Sequence, residues 1–385
     1  MTETYPYRDR TGRRRRAGGG LGAIPIVVAC AVVCAGCGTP AESPEAVPGR
    51  NPEELAAASS AAGYYQRGIE LYDAGRYRKA IRSFRAAVRD NAEDPRLYLE
   101  IGACYSRLGS AERELAAYDE ALAVSPEFVP AHNSRGVALL RLGRVEDAVA
   151  AFERALKLEV KYAPAHVNIA IAYGKLGKYE LALMSLVNAE QFGAPVFDVA
   201  SNRGLVLVEL GRYAEAAAAF ERALQERPTY APVRFERALA LAKDDRPEEA
   251  ILELERVTTL QRAFARAYLE KARLLARVGQ GRSSIVQYEE YLSLAPKDAQ
   301  AWNELGNVRF ARGEYELAED CFRKAVKYRR DFYQAYLNLS ATLERLDRGR
   351  EAARVRRRAE RYTPEDAAPE GEPDAEEGAE EGATE

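Results

Sequence analysis

The chain has 385 residues, 47% of them hydrophobic, and a formal net charge of −3. That length exceeds a usual single core, so several domains or a repeat array is expected. The acidic balance disfavours nucleic acid as a partner, and two histidines without an accompanying carboxylate or thiol cluster point to no metal and no cofactor.

At the start, residues 8–16 read RDRTGRRRR and residues 21–36 read LGAIPIVVACAVVCAG. A basic stretch, an apolar stretch and small residues before a cut form an export signal. The sequence then passes Cys37 into GTPAESPEAVPGRNP, a flexible linker. Ala35, Gly36 and Cys37 resemble the lipobox of bacterial lipoproteins, in which the cysteine is lipidated and becomes the mature N-terminus. Cys34 stands where that family has Leu or another aliphatic residue. VVAC, ending at Cys30, is an earlier candidate that leaves a shorter apolar run. An uncleaved helix over residues 17–36, about 30 Å long, would also just span a bilayer, although Gly18 to Gly20 and Pro25 weaken it. The run Arg13 to Arg16 hints at twin-arginine export, with no following motif to support it. In either anchoring model the basic flank stays inside, so the chain beyond the apolar segment lies outside the cytoplasm, facing the periplasm. Gly38, where inner-membrane retention usually requires Asp, favours the outer membrane. Residues 1–37 are thus signal or anchor, taking Cys30 and Cys34 with them, and residues 38–60 are linker.

Residues 142–156 read LGRVEDAVAAFERAL and residues 210–224 read LGRYAEAAAAFERAL, a separation of twice 34 positions. A frame set at Ala61 gives nine 34-residue units without a gap: 61–94, 95–128, 129–162, 163–196, 197–230, 231–264, 265–298, 299–332 and 333–366. Position 8 is small in all nine, from Gly68 to Ser340, and position 20 is small in all but one, Glu114. Position 24 is aromatic or leucine until Arg356, and position 15 is Gly except at Asp245 and Asp347. Positions 4, 8 and 11, and again 20, 24 and 27, recur at helical intervals, so each unit is two helices. Gly at position 15 ends the first helix in a left-handed conformation. Pro126, Pro228, Pro296 and Pro364, all at position 32, stop the second. Small residues at 8 and 20 let the pair approach closely while the residue at 24 fills the space beside them. One pair cannot bury its own apolar stripes, and stacking does.

This pattern resembles the tetratricopeptide repeat (TPR) family over residues 61–366. The resemblance implies an all-α, right-handed superhelical solenoid of nine helix-turn-helix repeats, with first helices lining a concave groove. Position 7 departs from the family's usual Leu with Arg67, Arg135, Arg203, Arg237 and Lys271, whose stems are expected to lie on apolar surface with the charge in water. Arg309 departs at position 11. The last helix, GREAARVRRRAERY, is polar almost all round and reads as a solubilising cap.

Beside the core stripe, positions 5, 9 and 12 of the first helices lie about 100° around. They include Leu99, Phe235 and Leu269; Val137, Ile171, Leu205 and Leu239; and Tyr72, Leu140, Val208 and Phe310. Position 13 is basic in Arg107, Arg141, Lys175, Lys243, Arg277 and Arg345. These residues suggest an apolar groove flanked by a basic row, suited to a peptide carrying acidic residues. The competing reading is that the stripe packs adjacent first helices together and the basic row is simply solvated. The carboxylate clamp of chaperone-tail receptors, Lys at position 5 with Asn at position 9, is missing, because position 5 is never Lys and Asn307 is the only Asn at position 9.

His132 and His166, both at position 4, read as packing residues. Cys104 and Cys321, six units apart, lie beyond disulfide reach and read as buried thiols. Residues 365–385 carry ten carboxylates and no basic residue, so the tail (367–385 beyond the repeats) reads as disordered, with the Arg-rich cap beside it. The chain is therefore expected to be a non-enzymatic, membrane-tethered scaffold that holds protein partners in its groove and assists envelope assembly (pilus, secretion, outer-membrane or polysaccharide machinery). The alternatives are an architectural spacer without a groove ligand and a regulatory subunit of an envelope enzyme. The oligomeric state is left open.

Overall fold

A computed structural model of the chain describes residues 60–363. Cys37, the apolar segment, Pro364 and the acidic tail lie outside the described residues. Among the described residues there are eighteen α-helices, one terminal 3-10 turn and no strand. The helices come in pairs that recur in step with the sequence period: Ala61–Asp73 with Tyr77–Asp90, Pro95–Arg107 with Ala111–Val124, and onward to Tyr333–Arg345 with Gly349–Ala359. The fold is an all-α solenoid of helix-turn-helix units.

Each pair is closed by the contact between positions 8 and 24. A Cβ built on Gly136 would stand 2.4 Å from Phe152 Cε1, and Gly68, Gly102, Gly204 and Gly306 face the ring at position 24 of their own units in the same way. The glycine lets a ring lie flat on helix backbone, and Phe84, Tyr118, Phe152, Phe220 and Phe322 are almost wholly buried there. Where position 8 is Ala170 or Ala238, position 24 is Leu186 or Leu254, so a smaller partner absorbs the added methyl. Unit seven keeps Ala272 opposite Tyr288, and there Ser284 at position 20 donates to the Ala272 carbonyl at 2.8 Å.

The turns share one backbone conformation. Position 15 has φ between 68° and 78° in its seven glycines, and Asp245 and Asp347 adopt φ of 56° and 57°. Aspartate is one of the few L-residues that visits this region readily. Second helices stop just before position 32: Val124, Glu226 and Leu294 precede Pro126, Pro228 and Pro296 by two residues.

Units stack because each second helix packs on its own partner and on the first helix of the next unit, while first helices of successive units also touch directly from unit two to unit six and again between eight and nine. The first helices of units two to six therefore share one face. The last helix is shorter than the sequence pattern suggests: it ends at Ala359, and Glu360–Tyr362 form a 3-10 turn that stacks Tyr362 on Tyr336, centroids 5.7 Å apart. Ala352 and Ala359 bury the inner side of this cap.

Candidate functional site

The stripe at positions 5 and 9 divides into two groups. Val137, Ile171, Phe235 and Leu269 are buried between helices, Phe235 to 1% exposure, and offer a ligand no surface. These side chains are taken up by packing: Phe235 belongs to the cluster that joins units five to seven, and Leu269 to the one that joins units seven and eight. Leu99, Leu205 and Leu239 stay partly exposed and remain candidates. Of the position-12 residues, Leu140 is buried while Tyr72, Val208 and Phe310 are half-buried.

The basic row is organised rather than merely solvated. Arg107 lies over the Tyr77 ring at 5.9 Å, Lys243 over Tyr213 at 5.2 Å and Arg345 over Tyr315 at 5.1 Å. In each case a cation at position 13 rests on a tyrosine at position 17 of the preceding unit. A ring holds a cation without cancelling its charge. Arg277 instead donates to the Ala242 carbonyl at 3.2 Å, again a neutral partner. Arg141 differs. Its preceding unit has Ala111 at position 17, and its guanidinium pairs with the buried Glu114 at 2.8 Å, so its charge is committed to a carboxylate although the residue itself is exposed. Burial, the largest influence, pushes the Glu114 carboxyl above its ordinary range, and Arg141 pulls it partly back. Lys175 is exposed.

Sequence reasoning missed position 6. It holds Gln66, Glu100, Ser134, Asn168, Asn202, Glu236, Glu270, Glu304 and Asn338, a hydrogen-bonding group in every unit, visible in the sequence as a row without one apolar residue. Burial raises the carboxyls of Glu100 and Glu236. Asn168 donates to Asn133 of the preceding unit at 2.9 Å, and Asn338 donates to both Asn303 and Asn307 at 3.0 and 2.9 Å. Glu304 is occupied by Arg273 at 2.9 and 3.0 Å.

Other departures are joints between units. Arg135 reaches Asp119 at 2.7 Å, Arg237 reaches Glu221 at 3.3 Å and Lys271 reaches Glu255 at 3.9 Å, each from position 7 to position 25 one unit back. Arg203 reaches Glu190 at 2.7 Å, and Arg309 reaches Glu289 from position 11. These charges meet a partner rather than simply reaching water. Position 4 carries a second joint. The carbonyl of the residue six positions earlier, at position 32 of the preceding unit, meets His132 Nε2 at 2.9 Å and His166 Nε2 at 2.8 Å, and accepts from Tyr98, Arg234 and Trp302 in the same register. Both histidines are structural. Cys104 and Cys321 are free and buried, and burial pushes their thiols up to about 12 and about 11. Among the described residues no group of His, Cys, Asp and Glu could hold a metal ion, and no helix is long and apolar enough to cross a membrane.

Tetratricopeptide repeat family models match residues 65–128 and 201–267, 129–161, and 299–332, together more than half of the chain. The chain belongs to the tetratricopeptide repeat family. It is 28% identical over 71 residues to the Hsp70-Hsp90 organizing protein of Triticum aestivum, and 27% identical over 71 residues to Hsp70-Hsp90 organizing protein 2 of Arabidopsis thaliana. Each match takes in 18% of this chain and 12% of the relative. Among solved structures, a tetratricopeptide repeat protein from Parabacteroides merdae superposes with a TM-score of 0.49 at 17% identity, covering 65% of this chain and 98% of its own. A thermophilic TPR protein from Thermus thermophilus gives 0.42 at 24% identity, covering 47% and 99%. The repeats make this chain a protein–protein interaction scaffold.

Proposed function

We propose that the chain is a non-enzymatic adaptor that holds an extended peptide segment of a partner along the face shared by its first helices. The observation that carries the reading is the combination of held but uncancelled cations with hydrogen-bonding groups at position 6. Arg107, Lys243 and Arg345 keep their charge because their partners are tyrosine rings. Glu100, Glu236 and Asn202 offer oxygen acceptors to the backbone N–H groups of a peptide, and Leu99, Leu205 and Leu239 give it apolar footing. The fitting ligand carries acidic residues at its edge and apolar ones at its centre. A chaperone-tail specificity is not part of this reading, because Asn303 is buried and accepts from Asn338.

The adaptor is tethered to a membrane through lipid on Cys37, faces the periplasm, and serves assembly of an envelope complex; an uncleaved helix over residues 17–36 in the inner membrane is the alternative anchor. The basic n-region, the apolar run and the Ala35-Gly36-Cys37 sequence support this. Fatty-acid labelling of the natural chain that is lost in Cys37→Ala is expected; label that persists in the variant would move the lipid to another cysteine such as Cys30, and no label on the natural chain would remove the lipid anchor.

In-cell photocrosslinking tests the groove. Crosslinkers at Leu205 and Leu239 are expected to trap one discrete partner that a crosslinker at the outward-facing Ala218 does not. Equal trapping from both faces would leave an architectural spacer.

A further inference from the structure

The outer faces of the second helices are not alike. In units two to seven each second helix carries more carboxylates than cations. In unit one the second helix, Tyr77–Asp90, carries Arg78, Lys79, Arg82, Arg85 and Arg89 against the single Asp90. All five cations are exposed and recur at the three- and four-residue spacing of one helix face, opposite the buried side formed by Ala80, Ile81, Phe84 and Ala87. Among the described residues none of the five has an ion pair with a carboxylate, and only Arg85 has a side-chain partner, the Tyr105 hydroxyl at 3.1 Å. Beside it lies an open cleft of about 380 Å³ lined by Arg85, Tyr105, Arg113 and Glu120, with the Arg113 guanidinium 5.9 Å from the Tyr105 ring centroid. Two guanidiniums flanking a phenol at a solvent-open cleft suit a phosphate-sized anion.

We infer that this basic face of unit one docks on anionic phospholipid headgroups, so that the first repeat lies against the membrane surface and the rest of the array projects from it. The inference rests on the membrane-tethered reading. Unit one begins at Ala61, only 24 residues after Cys37, so a tether at Cys37 holds this face near the bilayer at high effective concentration. A tether fixes the distance to the membrane but not the orientation, and a polybasic surface adds attraction to anionic headgroups that decides which face lies down. The acidic tail is the competing occupant, but it leaves the array at unit nine, whose cap already presents Arg350, Arg354, Arg357 and Arg361. Charge carried by the repeat nearest the membrane, and not by the next six, matches a flat anionic surface beside unit one.

The test uses the full chain on vesicles of phosphatidylcholine alone or mixed with phosphatidylglycerol, with a dye at exposed Ala116 reporting headgroup contact. The tethered chain floats with both vesicle types, and only the anionic ones bring the dye to the headgroups. Headgroup contact by the dye is expected to be more than roughly tenfold greater on anionic than on neutral vesicles, from the summed attraction of the five cations near the surface. That ratio is expected to fall to about one when the five cations become Gln, to fall likewise at high salt, and to persist when the four arginines become Lys. Melting curves of the variants check that unit one stays folded. Equal dye contact on neutral and anionic vesicles overturns the inference while leaving the tether intact. Failure to float with neutral vesicles sinks the tether alone if the anionic preference survives. If removing residues 365–385 and the five-Gln change shift the dye alike without vesicles, the face belongs to the tail and the inference fails.

Discussion

Two glycines seven residues apart show why the same side-chain change has two meanings. At Gly136 a new Cβ lands 2.4 Å from Phe152, so Gly136→Ala is expected to cost about 2 kcal/mol by overpacking, more than the ~1 kcal/mol that alanine contributes to helix propensity. Adding Phe152→Leu recreates the Ala170–Leu186 pairing of unit four and is expected to recover most of that loss, read as coupling in a double-mutant cycle by chemical denaturation. At Gly143 the space is empty but φ is 75°, so Gly143→Ala costs about 1 kcal/mol through backbone strain alone, and no change at Phe152 rescues it. Asp245→Gly, at φ 56°, is expected to stabilise by a few tenths of a kcal/mol or more. The Glu114–Arg141 pair gives a pH signature. The folded-state pKa of Glu114 is raised, so the folded state holds this proton more tightly than the unfolded chain does. Its contribution is present below the ordinary carboxylate pKa and is lost as pH rises through the folded value. Relative to Glu114→Gln, the natural chain therefore loses stability as pH climbs from about 4 toward neutrality. Arg141→Ala, which strands a buried carboxylate, is expected to cost of order 3 kcal/mol and to extend that loss to higher pH. A flat difference between the natural chain and Glu114→Gln across this range would exclude the linkage.

At the scale of elements, each joint between units is written by residues a whole unit apart. The position-4 donor to the position-32 carbonyl uses Tyr, His, Arg or Trp indifferently, because the carbonyl asks only for a donor of sufficient length. His132→Phe or Trp302→Phe therefore keeps the volume and drops the bond, with an expected loss near 1 kcal/mol in thermal melts. The cation at position 13 with the tyrosine at position 17 is the joint that matters for binding. Arg107→Glu, Lys243→Glu and Arg345→Glu together are expected to weaken capture of an acidic peptide at low salt by about tenfold or more. Arg141→Glu would act on stability instead, by opposing Glu114. Calorimetric titration beside a melt separates the two effects.

For the array as a whole, the core is a series of clusters rather than one mass. A large one joins units five to seven around Phe220, Phe235 and Leu254, while smaller ones bind units one and two, seven and eight, and eight and nine. The joint between the second helix of unit seven and the first of unit eight is the thinnest. Because a solenoid holds together through nearest neighbours, native-state hydrogen exchange is expected to show at least two protection levels with a step at that joint. A single global opening free energy across residues 60–363 would contradict this. Deleting the cap helix uncovers Phe322 and Leu343 and is expected to make the chain aggregate.

The period, the paired helices, the left-handed turns and the small-residue contacts were legible in the sequence because they depend on residues within one unit, where spacing of 3.6 residues per turn fixes which side chains meet. Even the alternation of Gly with a ring and Ala with Leu could be read there, as volume conserved between positions 8 and 24. Which apolar residues beside that stripe remain free could not. Val137 and Leu205 share position 9, yet one is buried and the other partly open, because that outcome depends on which side chains of the neighbouring units surround each one. Nor does the sequence reveal that Arg141 serves a buried glutamate while Arg107 rests on a ring, since that depends on which side chains of the preceding unit the stacking brings within reach of position 13. A period determines what each unit is; the stacking of one unit on the next decides what each leaves exposed, because burial is a property of neighbours in space.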